Sequence, residues 1–200
     1  MILIIGTGGL TKQFLPLIKA LLQKGEEIIF FDNTETASEK FFECPVIGNF
    51  DELPEKFDFI IGIGDPKWRS HFYNLLINRG GVPINLISTK SSITSENIGR
   101  GNIILDFSVI EPYSIIGEGN LINTHAGIHH DVRIGEFNEV SPGSKILGGV
   151  SIGDRCRIGT NAVILPKIKI CSDVIIGAGA IVTKSIEQPG TYIGIPARKR

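Results

Sequence analysis

Three of the chain's four histidines fall within six residues, in the run Asn123-Thr124-His125-Ala126-Gly127-Ile128-His129-His130-Asp131. An imidazole titrates near neutral pH and can take a proton from an attacking amine or hydroxyl. A carboxylate next to it, such as Asp131, can stabilise the imidazolium that forms. The cluster is therefore a candidate general base. His125 and His130 also stand five residues apart, a spacing that can place two zinc ligands on adjacent faces of a repeat. Zinc requires a third protein ligand, and the remaining histidine, His71, is distant in sequence. No metal is expected.

A second candidate opens the chain. Gly6-Thr7-Gly8-Gly9 follows the apolar run Ile2 to Ile5, and small residues there let backbone N–H groups and a helix N-terminus approach a phosphate. Thr11 stands where a dinucleotide fingerprint needs its third glycine, so tight NAD binding is not supported. Asp32, at the end of the run Glu27 to Phe31, could accept from a ribose hydroxyl or a base N–H, or cap its own loop. Gly64 follows a third apolar run, Phe57 to Ile63.

Two kinds of element must hold these residues. From Ile98 to Val182 an aliphatic side chain recurs every six positions: Ile98, Ile104, Ile110, Ile116, Ile122, Ile128, Ile134, Val140, Ile146, Ile152, Ile158, Ile164, Ile170, Ile176 and Val182. Neither a helix nor an isolated strand has that period. It fits a β-solenoid in which three short strands, one from each of three successive hexads, close a triangular coil. Fifteen hexads then make five coils, stabilised by stacking. Gly and Asn between the aliphatic positions suit corners with positive φ.

Before the solenoid, three strand-like runs alternate with helical spacing at Phe14, Leu15, Leu17, Ile18, Leu21 and Leu22, and again from Lys67 to Asn78 with Trp68, Phe72, Leu75 and Leu76 inward. This predicts a small open α/β sheet over residues 1–87, in which ligands bind beyond the carboxyl ends of the strands. Residues 88–200 form the solenoid, and the Ser- and Thr-rich stretch Thr89 to Glu96 is the expected junction.

Composition narrows the function. Twenty basic against 21 acidic residues, with no basic stripe, give no support for nucleic acid binding. Three sparse cysteines, Cys44, Cys156 and Cys171, read as reduced core thiols rather than a disulfide framework. The first residues carry no basic start or long apolar stretch, so a cytoplasmic protein without membrane attachment is expected.

A short α/β domain with a Gly-rich loop, a hexapeptide solenoid, an Asn-Thr segment before His-His-Asp, and the ending Tyr192-Ile193-Gly194-Ile195-Pro196-Ala197-Arg198 together resemble the NeuD and PglD type of sugar acetyltransferase among the hexapeptide acyltransferases. The resemblance implies a Rossmann-like nucleotide-sugar-binding domain followed by a left-handed parallel β-helix. It implies acetyl-CoA as co-substrate, a nucleotide-linked amino-sugar as acceptor, and a homotrimer with active sites between subunits. Carried over by position, His130 is the general base and Asp131 raises its basicity. The Gly148 N–H holds the thioester oxyanion. Glu139, Thr160 and Ala178 fall on acetyl-CoA positions, and Lys167, Lys169 or the Arg198-Lys199-Arg200 tail would lie near its phosphates. Gly8, Gly9, Leu10, Asp32, Asn33 and Gly64 would touch the acceptor. Two positions depart from the group: Gly8-Gly9-Leu10-Thr11 lacks its loop histidine, and Glu139 stands where relatives often have a histidine. Sialic acid O-acetylation is the alternative activity. A zinc enzyme like the γ-class carbonic anhydrases and a non-catalytic solenoid are the further ones.

Overall fold

The computed structural model describes residues 1–34 and 38–200, in two compact units, Met1–Leu86 and Ile87–Arg200. The first contains β1 (Ile2–Ile5), α1 (Gly9–Gln13), α2 (Leu15–Gln23), β2 (Ile28–Phe31), β3 (Lys40–Phe41), β4 (Cys44–Ile47), β5 (Phe57–Ile61), α3 (Pro66–Asn78) and β6 (Gly81–Pro83). Its sheet runs in the order β3-β4-β2-β1-β5-β6, parallel except for the β3–β4 hairpin at one edge. β1 sits between β2 and β5 and is buried at all four residues, as a near-continuous aliphatic run in a parallel sheet should be. Three strands were readable from sequence. Of the others, β3 has only two residues, β4 carries Pro45, and β6 carries Gly81 and Pro83, residues that weaken any strand signal.

Two helical expectations change. The first helix is broken in two, because Pro16 has no N–H to offer the Lys12 carbonyl and instead starts a new helix after Phe14. In α3 the inward face is Pro66, Arg69, Tyr73 and Leu76, not the face carrying Trp68, which is 58% exposed.

The second unit is a β-solenoid with faces of eight, six and five strands. Each aliphatic site pairs with the one three hexads on: Ile104 with Ile122 and then Val140, Ile110 with Ile128 and then Ile146, Ile98 with Ile116 and then Ile134. All fifteen sites enter these ladders, and all are buried except Ile98, half-exposed because it begins its face. Inside one corner, Asn102, Asn120 and Asn138 form a buried ladder, each side-chain oxygen accepting the N–H one coil on at 2.7–2.8 Å and the last serving Cys156. The expected junction is already solenoid, since Ser92–Ile93 pairs with Val109–Ile110. Side chains other than Gly and Asn also occupy the left-handed corner positions, among them His125 and Asp131, both at φ +59°.

Candidate functional site

All six residues marked as acceptor contacts, Gly8, Gly9, Leu10, Asp32, Asn33 and Gly64, line one cavity of about 550 Å³ at the carboxyl ends of β1, β2 and β5. The sequence did not place Phe31, Trp68 and Phe72 in its wall. Asp32 takes the loop-capping alternative. One carboxylate oxygen accepts from the Thr7 N–H at 3.2 Å and the Thr7 hydroxyl at 2.5 Å. The other accepts from the Thr34 N–H at 3.0 Å and its hydroxyl at 2.7 Å. Burial pushes the Asp32 carboxyl up, but these four hydrogen bonds outweigh it and hold the group below the usual range. Among the described residues Asn33 makes no side-chain hydrogen bond, so its amide is the group at this strand end left to meet a ligand.

The opposite loop is fastened from beneath. Arg69 is 1% exposed, and its Nη1 donates to the carbonyls of Ile63 and Gly64, both at 2.8 Å. Hydrophobic patterning alone turns an arginine outward. Only the need to satisfy buried carbonyls explains this one.

In the solenoid, Pro112, His130, Gly148 and Pro166 form one column, each one coil from the next. The prolines have no N–H, and that of His130 is taken by the Glu111 carboxylate at 2.9 Å. Gly148 alone in the column presents an N–H that meets no acceptor among the described residues. Its neighbours fix its direction: Gly149 N–H donates to the His130 carbonyl at 3.1 Å and Lys167 N–H to the Gly148 carbonyl at 3.0 Å. His130 Nδ1 lies 2.8 Å from Asp131 Oδ2. With the proton on Nδ1, this contact leaves Nε2 as the basic atom. A Cβ built on Gly148 would lie 2.7 Å from that Nε2, so the imidazole edge rests directly over the glycine. The His130 imidazole, the Asp131 carboxylate and the open N–H thus share one corner, with side chains of His130 and Asp131 about 60% exposed.

Glu111 escaped the sequence reading. Its second oxygen stands 3.2 Å from His129 Nδ1, so one carboxylate ties His129 and the His130 backbone to the preceding coil. Its only signal was its position, three hexads before His129. His125 belongs to a different corner, its ring stacked on Phe107 with centroids 5.1 Å apart. His125 and His130 thus stand on different corners, and among the described residues no group of three or more His, Cys, Asp or Glu is placed to hold a metal ion.

The other proposed cofactor positions lie elsewhere on the solenoid. Thr160 and Ala178 occupy the corner between the eight- and six-stranded faces, whereas Gly148 occupies that between the six- and five-stranded faces. Glu139 lies on the eight-stranded face and is ion-paired with Arg157 at 2.9 Å. No cysteine competes as nucleophile at these corners: Cys156 is buried, and burial pushes its thiol up to about 11. Among the described residues no helix is long and apolar enough to cross a membrane.

Residues 1–76 match the PglD N-terminal domain, and residues 131–166 and 149–184 match the bacterial transferase hexapeptide of six repeats. Comparison with curated proteins gives no match. Among solved structures, the chain is similar to the acetyltransferase domain of PglB from Neisseria gonorrhoeae FA1090, at 29% identity and TM-score 0.91, covering 100% of this chain and 98% of that one. That domain is also known in complex with acetyl coenzyme A. PerB from Caulobacter crescentus, in complex with CoA and GDP-perosamine, is 28% identical with TM-score 0.87, covering 100% and 96%. WeeI from Acinetobacter baumannii AYE is 27% identical with TM-score 0.92, covering 100% and 99%. With a PglD N-terminal domain at one end and transferase hexapeptides at the other, the chain carries the two parts of an acetyl-CoA-dependent sugar N-acetyltransferase and is similar over its whole length to these structures.

Proposed function

We propose that the chain transfers the acetyl group of acetyl-CoA to the amine of a nucleotide-linked amino-sugar, of the UDP-4-amino-sugar type. The observation that carries this reading is the corner at which His130, oriented by Asp131, rests over the unpaired N–H of Gly148. PerB in complex with CoA and GDP-perosamine supports the acceptor class, and the glycine-lined cavity supports a nucleotide there.

The neutral amine attacks the thioester carbonyl directly, forming the C–N bond while the carbonyl electrons move to oxygen. Gly148 N–H donates to that oxyanion, and removing one such donor typically costs about 10²- to 10³-fold. His130 Nε2 takes the amine proton, worth roughly 10²- to 10⁴-fold. As the tetrahedral adduct collapses, the C–S bond breaks and the proton passes to the departing thiolate, giving amide and coenzyme A. Thr160 and Ala178 lie on a different corner from His130. A homotrimer, in which one corner of each copy faces another corner of the next, would bring the two sets to one acetyl-CoA through a ring of heterologous contacts.

The test is thiol release from acetyl-CoA against a panel of UDP-, dTDP- and GDP-linked 4-amino-sugars with free sialic acid. Turnover on one nucleotide amino-sugar is the expected result. Turnover on sialic acid alone would replace this reading by O-acetylation.

A further inference from the structure

The tryptophan that should have faced the core stands in the cavity wall. Trp68 is the chain's single tryptophan and is 58% exposed, a large apolar surface in a place where a ligand could cover it. It is not loosely held. Asp65 caps α3, its Oδ1 accepting from the N–H groups of Lys67 at 3.0 Å and Trp68 at 3.2 Å, which fixes the Trp68 backbone in the first turn. His71 abuts its ring edge-on, with centroids 5.6 Å apart at 89°. Phe72 lies beside it at 6.3 Å and 35°. From there aromatic rings continue inward through Phe31, 6.1 Å from Phe72, to Phe50, stacked on Phe31 at 3.8 Å. The indole is the outer end of a rigid aromatic wall.

The rest of the cavity lining makes this surface matter. None of its described residues is basic, and the one charged side chain, Asp32, is an anion already committed to Thr7 and Thr34. A diphosphate would find backbone N–H groups but no lysine or arginine, so much of the affinity must come from another part of the ligand. We propose, resting on the nucleotide-sugar reading above, that Trp68 is the platform on which the acceptor's nucleobase stacks, with Asn33 placed to read the base edge. Stacking tolerates any base, because every base has a π face. The amide of Asn33 can both donate and accept, so it is the group able to discriminate between bases.

The lone tryptophan is its own reporter. Intrinsic fluorescence of the full chain is titrated with UDP, dTDP and GDP, and binding is measured in parallel by calorimetry on wild type, Trp68→Phe and Trp68→Ala. The expected result is a saturable change in emission at the calorimetric affinity, with Trp68→Ala weakening the preferred nucleotide by about five- to a hundred-fold. Trp68→Phe, which keeps a ring, lies between. In turnover, KM for the nucleotide amino-sugar rises in Trp68→Ala while KM for acetyl-CoA holds, which a general loss of folding would not produce. Equal nucleotide affinity in all three proteins, with no emission change, overturns the stacking role and leaves the nucleotide reading standing. Absence of nucleotide binding to the wild type overturns both.

Discussion

The two units hold their functional residues by opposite means. At the solenoid corner the positions are set by the backbone: His130, Gly148 and Lys167 are locked coil to coil through carbonyl and N–H groups, and two carboxylates, Asp131 and Glu111, adjust His129 and His130. In the α/β cavity the loops have no such ladder, and side chains fasten them, Asp32 on one side and Arg69 on the other. The first arrangement suits chemistry, where an error of an ångström is costly. The second suits recognition, where loops can vary while the sheet stays fixed. Substitutions at the corner should therefore act on kcat, and substitutions in the cavity on KM or on stability.

The largest break in that contrast comes from the proposed base. His130→Ala should lower kcat by roughly 10²- to 10⁴-fold while leaving acetyl-CoA affinity near that of the wild type, measured by single-turnover kinetics and calorimetry. Wild-type turnover in that variant would remove the base assignment.

Gly148→Ala follows, and separates geometry from folding. Alanine is sterically acceptable to the backbone there, since Gly148 is not among the positive-φ glycines, but its Cβ would overlap the His130 imidazole. The exposed ring swings away, so the melting temperature should hold while kcat falls on the order of 10²-fold. A variant that melts early but turns over normally when folded would show that the corner tolerates displacement of the base.

Glu111 sharpens the comparison further, because it is the side chain that ties this corner to the preceding coil. Glu111→Ala should cost about tenfold in kcat, as expected for one hydrogen bond to a charged group contributing roughly 1.5 kcal/mol, with KM unchanged. Glu111→Gln should recover most of the loss, since its amide oxygen still accepts from His130 N–H. Equal loss in both variants would instead assign the effect to the charge facing His129.

What the sequence reveals divides along the same line. Every hexad carries the aliphatic side chain that marks its period, so all fifteen solenoid sites could be read directly, whereas the roles given to His130 and Gly148 came from the family resemblance. The strand ends of the α/β unit were legible because apolar runs stop at Gly6, Asp32 and Gly64. Trp68 was misread because hydrophobic patterning turns a tryptophan inward, and Arg69 drew no reading because the same patterning leaves an arginine to solvent. Here the ring faces a cavity and the guanidinium satisfies loop carbonyls. Glu111 was invisible for another reason: its contacts join residues a full coil apart in sequence, and only the coil geometry makes them neighbours.

The smallest effect is expected at Asp32, the cavity's latch. Its carboxyl is held below the usual value of 3.8 in the folded chain, so it stabilises the fold fully above that pH and loses the contribution as pH falls through the depressed value. Asp32→Asn keeps an acceptor for Thr34 but cannot accept twice from Thr7 as well. Its stability should therefore be lower than wild type at neutral pH, with the gap closing as pH falls below 3.8 and through the depressed value, followed by melting temperature against pH. The partly exposed position makes the difference small. A gap that persists unchanged into acid would mean that the lost contact is steric rather than ionic. It would also mean that the two loops are held by packing, as the solenoid corners are by their backbone.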